Sequence, residues 1–302
     1  TLGLSFFSGL FFFHSPILSA KHYETPESSN YGDCILINTG TELYIYDCGS
    51  ERHAEEVIKY MDNNNFEKAK LILSHNDSDH FDGIPKLIEE DRISSIRTVL
   101  LLKYVDDILE RIDDGRKTRE SVKKEILDTY DNIAQLSGCN LEDIYECDNS
   151  LTSEISIVGP DYDYMIDTVA KRLDGREGNT VDGETAVNAT SVQVSVNICS
   201  HTFLLCGDCS FAAIEDSVRD YDIVQLPHHG KSKQADAIFN KKWDQLDSIY
   251  IVSDNTGGSN GGSDNLNTKG HRVFNTKDSN NITINSLFFS SNSIRRKGTL
   301  GI

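Results

Sequence analysis

Short apolar runs separated by polar turns dominate the chain, and most have the length of buried strands. Cys34-Ile35-Leu36-Ile37 and Leu43-Tyr44-Ile45-Tyr46 flank Asn38-Thr39-Gly40-Thr41, whose Asn and Gly suit a tight reversal, so the pattern predicts a hairpin. Helical spacing follows over 51–61, then the run Leu71-Ile72-Leu73 and a helical pattern at 86–90. Further strands are expected at 17–20, 98–102, 144–146, 155–158, 192–196, 201–205, 223–226, 249–252 and 282–289, with helices at 211–218 and 234–245. Residues 105–136 read as two charged amphipathic helices broken at Asp113-Asp114-Gly115, an insertion of about 103–138. Gly- and Asp-rich 175–184 is expected to be a mobile loop, and 254–270 a second loop. The two halves repeat a strand-rich then helical order with no boundary between them, so 17–302 reads as one domain. Residues 1–16 form an apolar extension, too short to span a bilayer and without the basic segment of a secretory signal. It is read as an extra strand or as a surface for a protein partner.

Composition changes this picture in two ways. The chain carries 29 Lys and Arg against 48 Asp and Glu, a net charge of −19 over 302 residues. Such a field repels polyanions and argues against a surface that grips long nucleic acid, while leaving room for a short phosphodiester. Lys231 and Lys233, close after His229, are the cations placed to draw a phosphate inward. The seven cysteines are odd in number and irregular in spacing, which suits a reducing, cytoplasmic compartment better than a disulfide framework. Cys206-Gly-Asp-Cys209 has no second CxxC to complete a zinc site, and Cys206 reads as the end of a buried strand.

Candidate chemistry gathers where predicted strands stop. Ser74-His75-Asn76-Asp77-Ser78-Asp79-His80 places two imidazoles and two carboxylates on one loop, more than a turn requires. Asp47, Asp208 and the pair His228-His229 stand at three other strand ends. Imidazole and carboxylate together suit Zn, Mn or Fe, above all as a dinuclear site. No nucleophile elbow, P-loop or dinucleotide fingerprint accompanies them.

These motifs, over roughly 17–289, resemble the metallo-β-lactamase superfamily of metal-dependent hydrolases, with Asp77 where that family's HxHxDH has a second His. The HxDxDH form, with Gly32-Asp33-Cys34, Asn188-Ala189-Thr190-Ser191 and Pro227-His228-His229-Gly230, is most similar to one branch. That branch includes the hydrolase domain of the DNA-uptake channel protein of competent bacteria and the choline-phosphate esterases. The resemblance implies an α+β fold, a four-layer αββα sandwich with metals at one edge of its two sheets. It further implies that His75 and Asp77 hold one metal, that Asp79, His80 and His229 hold the other, and that Asp208 bridges them. Asp47 would orient ligands, and His228 would face the substrate and donate to a developing oxyanion; the roles of His228 and His229 stand exchangeable. Asp79 and His228 are the residues expected to carry catalysis.

The implied cofactors are two divalent ions, Zn or Mn, with Asp77 moving the preference from Zn toward Mn or Mg. Where many members supply a His to the first metal, residues 188–191 offer Asn188, Thr190 and Ser191, so that site is expected to be the weaker. His201 is the nearest imidazole, and His271 the one able to approach from the C-terminal side. The implied reaction is hydrolysis of a phosphoester, most simply a phosphodiester in nucleic acid or a nucleotide, without a protein nucleophile. Alternatives are a carbonyl (amide, lactam or thioester) hydrolase and a non-catalytic sensor or assembly module.

Overall fold

The computed structural model describes residues 9–13, 32–175, 180–254, 262–279 and 281–293. The strand expected at 17–20 lies outside them. Two sheets stack face to face. In the first, β1 (Gly9–Phe13), β2 (Cys34–Asn38), β3 (Leu43–Cys48), β4 (Ala69–Ile72), β5 (Ile93–Thr98), β6 (Asn140–Asp143) and β15 (Asn281–Ile284) take the order β15-β1-β2-β3-β4-β5-β6. In the second, β7 (Ile155–Gly159), β10 (Gln193–Ile198), β11 (His201–Leu205), β12 (Ile223–Gln225), β13 (Ile249–Val252) and β14 (Arg272–Asn275) take the order β14-β13-β12-β11-β10-β7. A two-stranded hairpin, β8 (Thr180–Val181) and β9 (Glu184–Thr185), stands apart from both. Strand β1, from the apolar N-terminal run, pairs with β2 on one side and β15 on the other.

Side-chain alternation builds the layers. Ile35, Ile37, Tyr44, Tyr46 and Ile72 face Val194, Val196, Phe203, Leu205 and Ile251 in a core between the sheets. Their neighbours Leu36, Ile45 and Leu71 point outward onto Ala54, Val57, Met61 and Leu87 of the helices Glu51–Asn64 and Ile84–Glu89. Beyond the second sheet, Leu204, Val224 and Tyr250 pack on Ala235, Ile238 and Phe239 of the helix Ser232–Lys241. This is the expected four-layer αββα sandwich, and strands buried on both faces explain why their sequences are continuous apolar runs. The insertion forms helices Val105–Arg111 and Arg119–Gln135. Their Val105, Ile108, Val122 and Ile126 pack on Met165, Ile166 and Val169 of the helix Tyr162–Asp174, which sequence patterning missed.

Several apolar runs end up in other elements. The strand expected at 98–102 runs instead over Ile93–Thr98; it stops where Leu100 N donates to Asp143 Oδ2 at 2.7 Å, and Leu101 joins the helical insertion's core. The strand expected at 144–146 is displaced to Asn140–Asp143, while Ile144 itself is buried in the central core. The last predicted strand splits after Ile284, because Asn285 Oδ1 accepts from the amides of Leu287 and Phe288 and caps a helix, Ser286–Ser293. Residues 211–218 form separate 3₁₀ turns at Phe211–Ala213 and Val218–Asp220 instead of one helix. The described part of 175–184 holds the β8–β9 hairpin, reversed at Asp182 and Gly183 with φ of 54° and 86°.

Candidate metal centre

Parallel strands β3, β4, β11, β12 and β13 all end at one edge of the sandwich, where a parallel sheet presents its loops. Every expected site residue arrives there from one of those ends. Asp47 closes β3 in a left-handed conformation, φ 59°. His75 follows β4, and Asp77 precedes the short helix Ser78–Phe81 that carries Asp79 and His80. Asp208 follows β11, and His228 and His229 follow β12 with φ of 51° and 53°.

Two glycines set the place of Asp79. A Cβ built on Gly32 would lie 2.2 Å from the Asp79 carbonyl oxygen, and one on Gly49 would lie 1.8 Å from it. Only bare backbone fits, and Asp33 N then donates to Asp79 O at 2.8 Å. Asp33 is thus a residue of the site that sequence reading had placed only within a motif. Its Oδ1 stands 3.2 Å from His229 Nδ1, and its Oδ2 accepts from Gln225 Nε2 at 3.0 Å.

All four imidazoles are held by Nδ1 and turn Nε2 inward. His80 Nδ1 donates to Asp47 Oδ2 at 2.8 Å, and Asp47 also accepts from Ser74 N and Ser74 Oγ, each at 2.7 Å. Because the Ser74 hydroxyl donates to Asp47, its oxygen accepts from His75 Nδ1 at 2.9 Å. His229 Nδ1 donates to the carbonyl of Ser253 at 3.0 Å, and His228 Nδ1 meets the carboxylate of Glu184. An imidazole that donates through Nδ1 presents Nε2 as a lone pair, the form a metal takes.

Those inward nitrogens converge on Asp208. His80 Nε2 lies 3.3 Å from Oδ1, while His75, His228 and His229 Nε2 lie 3.9, 3.9 and 4.0 Å from Oδ2. Asp79 Oδ2 is 3.1 Å from His229 Nε2. Two overlapping donor groups result, His75–His80–Asp208 and Asp79–His80–His229. His75 Nε2, His80 Nε2 and Asp208 Oδ1 are buried with no hydrogen-bond partner. Buried orphan acceptors are costly, and three in one cluster fit a divalent cation bound among them. Asp77 is brought to 3.7 Å from His75 Nε2, but its side chain is 45% exposed and stands outside both groups.

The electrostatics follow from this crowding. Burial alone would raise Asp208, but the imidazoles of His80 and His229 hold it well below the usual carboxylate range. Burial would likewise raise Asp79, but the imidazoles of His229 and His80 bring it down to about 2. For His80, burial would lower the value, yet Asp208 and Asp47 raise it well above the ordinary imidazole range; Asp33 and Asp208 do the same for His229. In the metal-free chain, charge pairs take the place of cations.

Residues 188–191 supply hydrogen-bonding supports to the site. Asn188 Nδ2 donates to Asp208 Oδ2 at 3.3 Å, and Ser191 Oγ accepts from Asp208 N at 3.2 Å and faces His75 Nδ1 at 3.3 Å. His201 begins β11, at the far end of the strand that leads to Asp208, and stacks on Phe289. His271 stacks on Phe239 behind the second sheet. Neither joins the site. Lys231 Nζ is taken up by Glu184, at 2.9 Å from Oε1, and by the carbonyl of Gly183 at 3.1 Å, so it is not the phosphate-drawing cation expected. Glu184 had no signal beyond its place after Asp-Gly in a hairpin turn. All seven cysteines are free thiols, and no helix among the described residues is long and apolar enough to cross a membrane.

A family model described as the metallo-beta-lactamase superfamily matches residues 30–253. The hydroxyacylglutathione hydrolase of Pseudoalteromonas translucida (strain TAC 125) is 33% identical over 117 residues, which is 39% of this chain and 42% of that protein. The chain therefore spans less than half the length of that relative. Among solved structures, the metallo-beta-lactamase fold protein YhfI from Bacillus subtilis is 12% identical over 88% of this chain and 77% of its own, with a TM-score of 0.38. A quorum-quenching N-acyl homoserine lactone lactonase is 14% identical over 89% and 98%, also with a TM-score of 0.38. The family match covers most of the chain, including each strand end that carries a site residue from Asp47 to His229: this chain belongs to the metallo-beta-lactamase superfamily.

Proposed function

We propose that the site holds two divalent cations, Zn or Mn, and hydrolyses a phosphoester, best a short phosphodiester or nucleotide. The observation that carries the reading is the pair of donor groups sharing His80, with His75 Nε2, His80 Nε2 and Asp208 Oδ1 buried and without a hydrogen-bond partner. His75, Asp77 and Asp208 would hold the first cation, and Asp79, His80 and His229 the second, with Asp208 between them. Two such cations, when bound, lower the pKa of a water and neutralise both the attacking and the leaving oxygen of an in-line displacement. The residues prepare that chemistry. Asp47, Ser74, Ser191 and the Ser253 carbonyl fix the ring planes. Burial of Asp208 and His80 keeps bulk water from their carboxylate and imidazole. Asp77 and His228 are the more exposed members, so substrate enters past them, and His228 Nε2 faces its reacting oxygen.

Oxygen-rich donors with Asp77 in place of an imidazole favour the harder cations that serve phosphate chemistry. With Lys231 occupied and a net charge of −19, the site suits a small substrate over a long polyanion. The motif likeness to choline-phosphate esterases and to the competence hydrolase domain points the same way. A second reading, thioester hydrolysis, is favoured by the likeness to the hydroxyacylglutathione hydrolase.

Chelator-free protein should carry about two metal equivalents and cleave bis(p-nitrophenyl) phosphate with Mn or Zn. Asp79→Ala should lower that rate at least a hundredfold, about 2.7 kcal/mol in barrier. Cleavage of a hydroxyacylglutathione with the phosphodiester untouched selects the second reading. Protein that binds no metal at all sinks both and leaves a binding module.

A further inference from the structure

Glu184 lies 1% exposed in the β8–β9 hairpin and receives more donors than the hairpin requires. Lys231 Nζ stands 2.9 Å from Oε1 and 3.0 Å from Oε2, and Gln234 Nε2 donates to Oε1 at 2.8 Å. The backbone around it is tied down as well. Gln234 Nε2 reaches the Asp182 carbonyl at 3.3 Å, Lys231 reaches that of Gly183, and Ala212 N donates to Asp182 Oδ2 at 3.1 Å. The carboxylate is therefore fixed by the segment 231–234 before it meets His228, and it meets that ring at Nδ1.

His228 is the least settled of the four imidazoles. Its backbone is left-handed, φ 51° and ψ 56°, and its side chain is 15% exposed, against 3% or less for His75, His80 and His229. It stands at the mouth, with Nε2 3.9 Å from Asp208 Oδ2 and outside both donor groups. Its ring direction is set by the bond to Glu184.

We propose that Glu184 is a positioning residue, which grips His228 by Nδ1 and holds Nε2 over Asp208 where the reacting oxygen of the substrate lies. The arrangement parallels an acid–imidazole pair in which the carboxylate orients the ring that works on the substrate. It assigns Lys231 and Gln234 the task of holding Glu184. The proposal rests on the reading of His228 as the substrate-facing imidazole.

The metal-loaded enzyme tests it. Glu184→Gln should keep both metal equivalents and a KM within about twofold of wild type, while kcat falls about 10–100-fold, the usual scale for a residue behind a working imidazole. Glu184→Asp should recover part of that loss. In a His228→Gln background, Glu184→Gln should cost nothing further, the mark of two residues acting as one unit. A readout that needs no substrate is the histidine ring nitrogen spectrum of the zinc-loaded protein. There Glu184→Gln should move the His228 Nδ1 resonance and leave that of His80 in place. Loss of metal in Glu184→Gln, an undiminished effect in the His228→Gln background, or an unmoved His228 resonance each overturns the proposal. Should the wild type cleave no ester, the proposed function falls, and the metal and spectral arms still decide the role of Glu184.

Discussion

At the scale of single residues, the site is built by fixing one ring nitrogen so that the other is free to bind. Asp47 shows the cost of that arrangement most clearly, since one carboxylate serves Ser74 N, Ser74 Oγ and His80 Nδ1. It was legible in the sequence as an acid at a strand end. Asp33, Ser74 and Ser191 stood there only as members of motifs and Glu184 carried no signal, because polar residues in turns are common without any site. Asp47→Asn keeps the shape but loses one accepting oxygen, so either His80 or Ser74 loses its anchor. Zinc affinity measured by competitive titration should fall about 10–100-fold, with helical content unchanged. Wild-type affinity in Asp47→Asn would show that His80 does not depend on it.

At the scale of elements, the helices Val105–Arg111 and Arg119–Gln135 form a core of their own with the helix Tyr162–Asp174. They also touch the loop that carries His75 to His80, for Asn76 Nδ2 donates to the Thr129 carbonyl at 3.0 Å and Asn132 Nδ2 to that of Asn76 at 3.3 Å. The amphipathic pattern foretold both helices and the break between them. It missed their partner helix and the placement of Leu101, because an apolar residue beside a strand packs equally well on helices. Ile108, fully buried in that core, is a direct test. Ile108→Ala should cost about 2–5 kcal/mol in urea denaturation while metal content stays at wild-type level. Metal loss at low denaturant would mean instead that the insertion and the His75 to His80 loop unfold as one unit.

At the scale of the molecule, the site concentrates acids that a pair of divalent ions would offset, and stability should depend on pH accordingly. In metal-free protein His80 and His229 have pKa values raised above 6.5, so their contribution is whole below that value and is lost as pH rises through the raised ones. Asp79, lowered from 3.8 to about 2, contributes above 3.8 and loses that contribution as pH falls toward 2. Metal-stripped protein should therefore melt highest between about pH 4 and 6.5 and soften toward pH 9. Metal requires the same imidazoles deprotonated, so the Tm gap between loaded and stripped protein should widen over that range. A gap constant with pH in thermal scans would place the metals on other groups.

The sequence by itself carried most of the strands and helices, since strands buried on both faces read as apolar runs and helices as amphipathic ones, while their four-layer order was what the motif resemblance implied. It also offered the candidate donor types, because two His and two Asp within one loop have few structural reasons to occur together. Tertiary structure decided what spacing cannot carry. Five parallel strands from both sheets had to end at one edge before Asp208 could gather nitrogens from residues 75 to 229. Asp33 and Glu184 became site residues only through backbone that glycines let pass close to Asp79 and through a hairpin pinned by Lys231. Whether an acid is a turn residue or the anchor of an imidazole depends on what lies across from it, and that is set by packing between segments far apart in the chain.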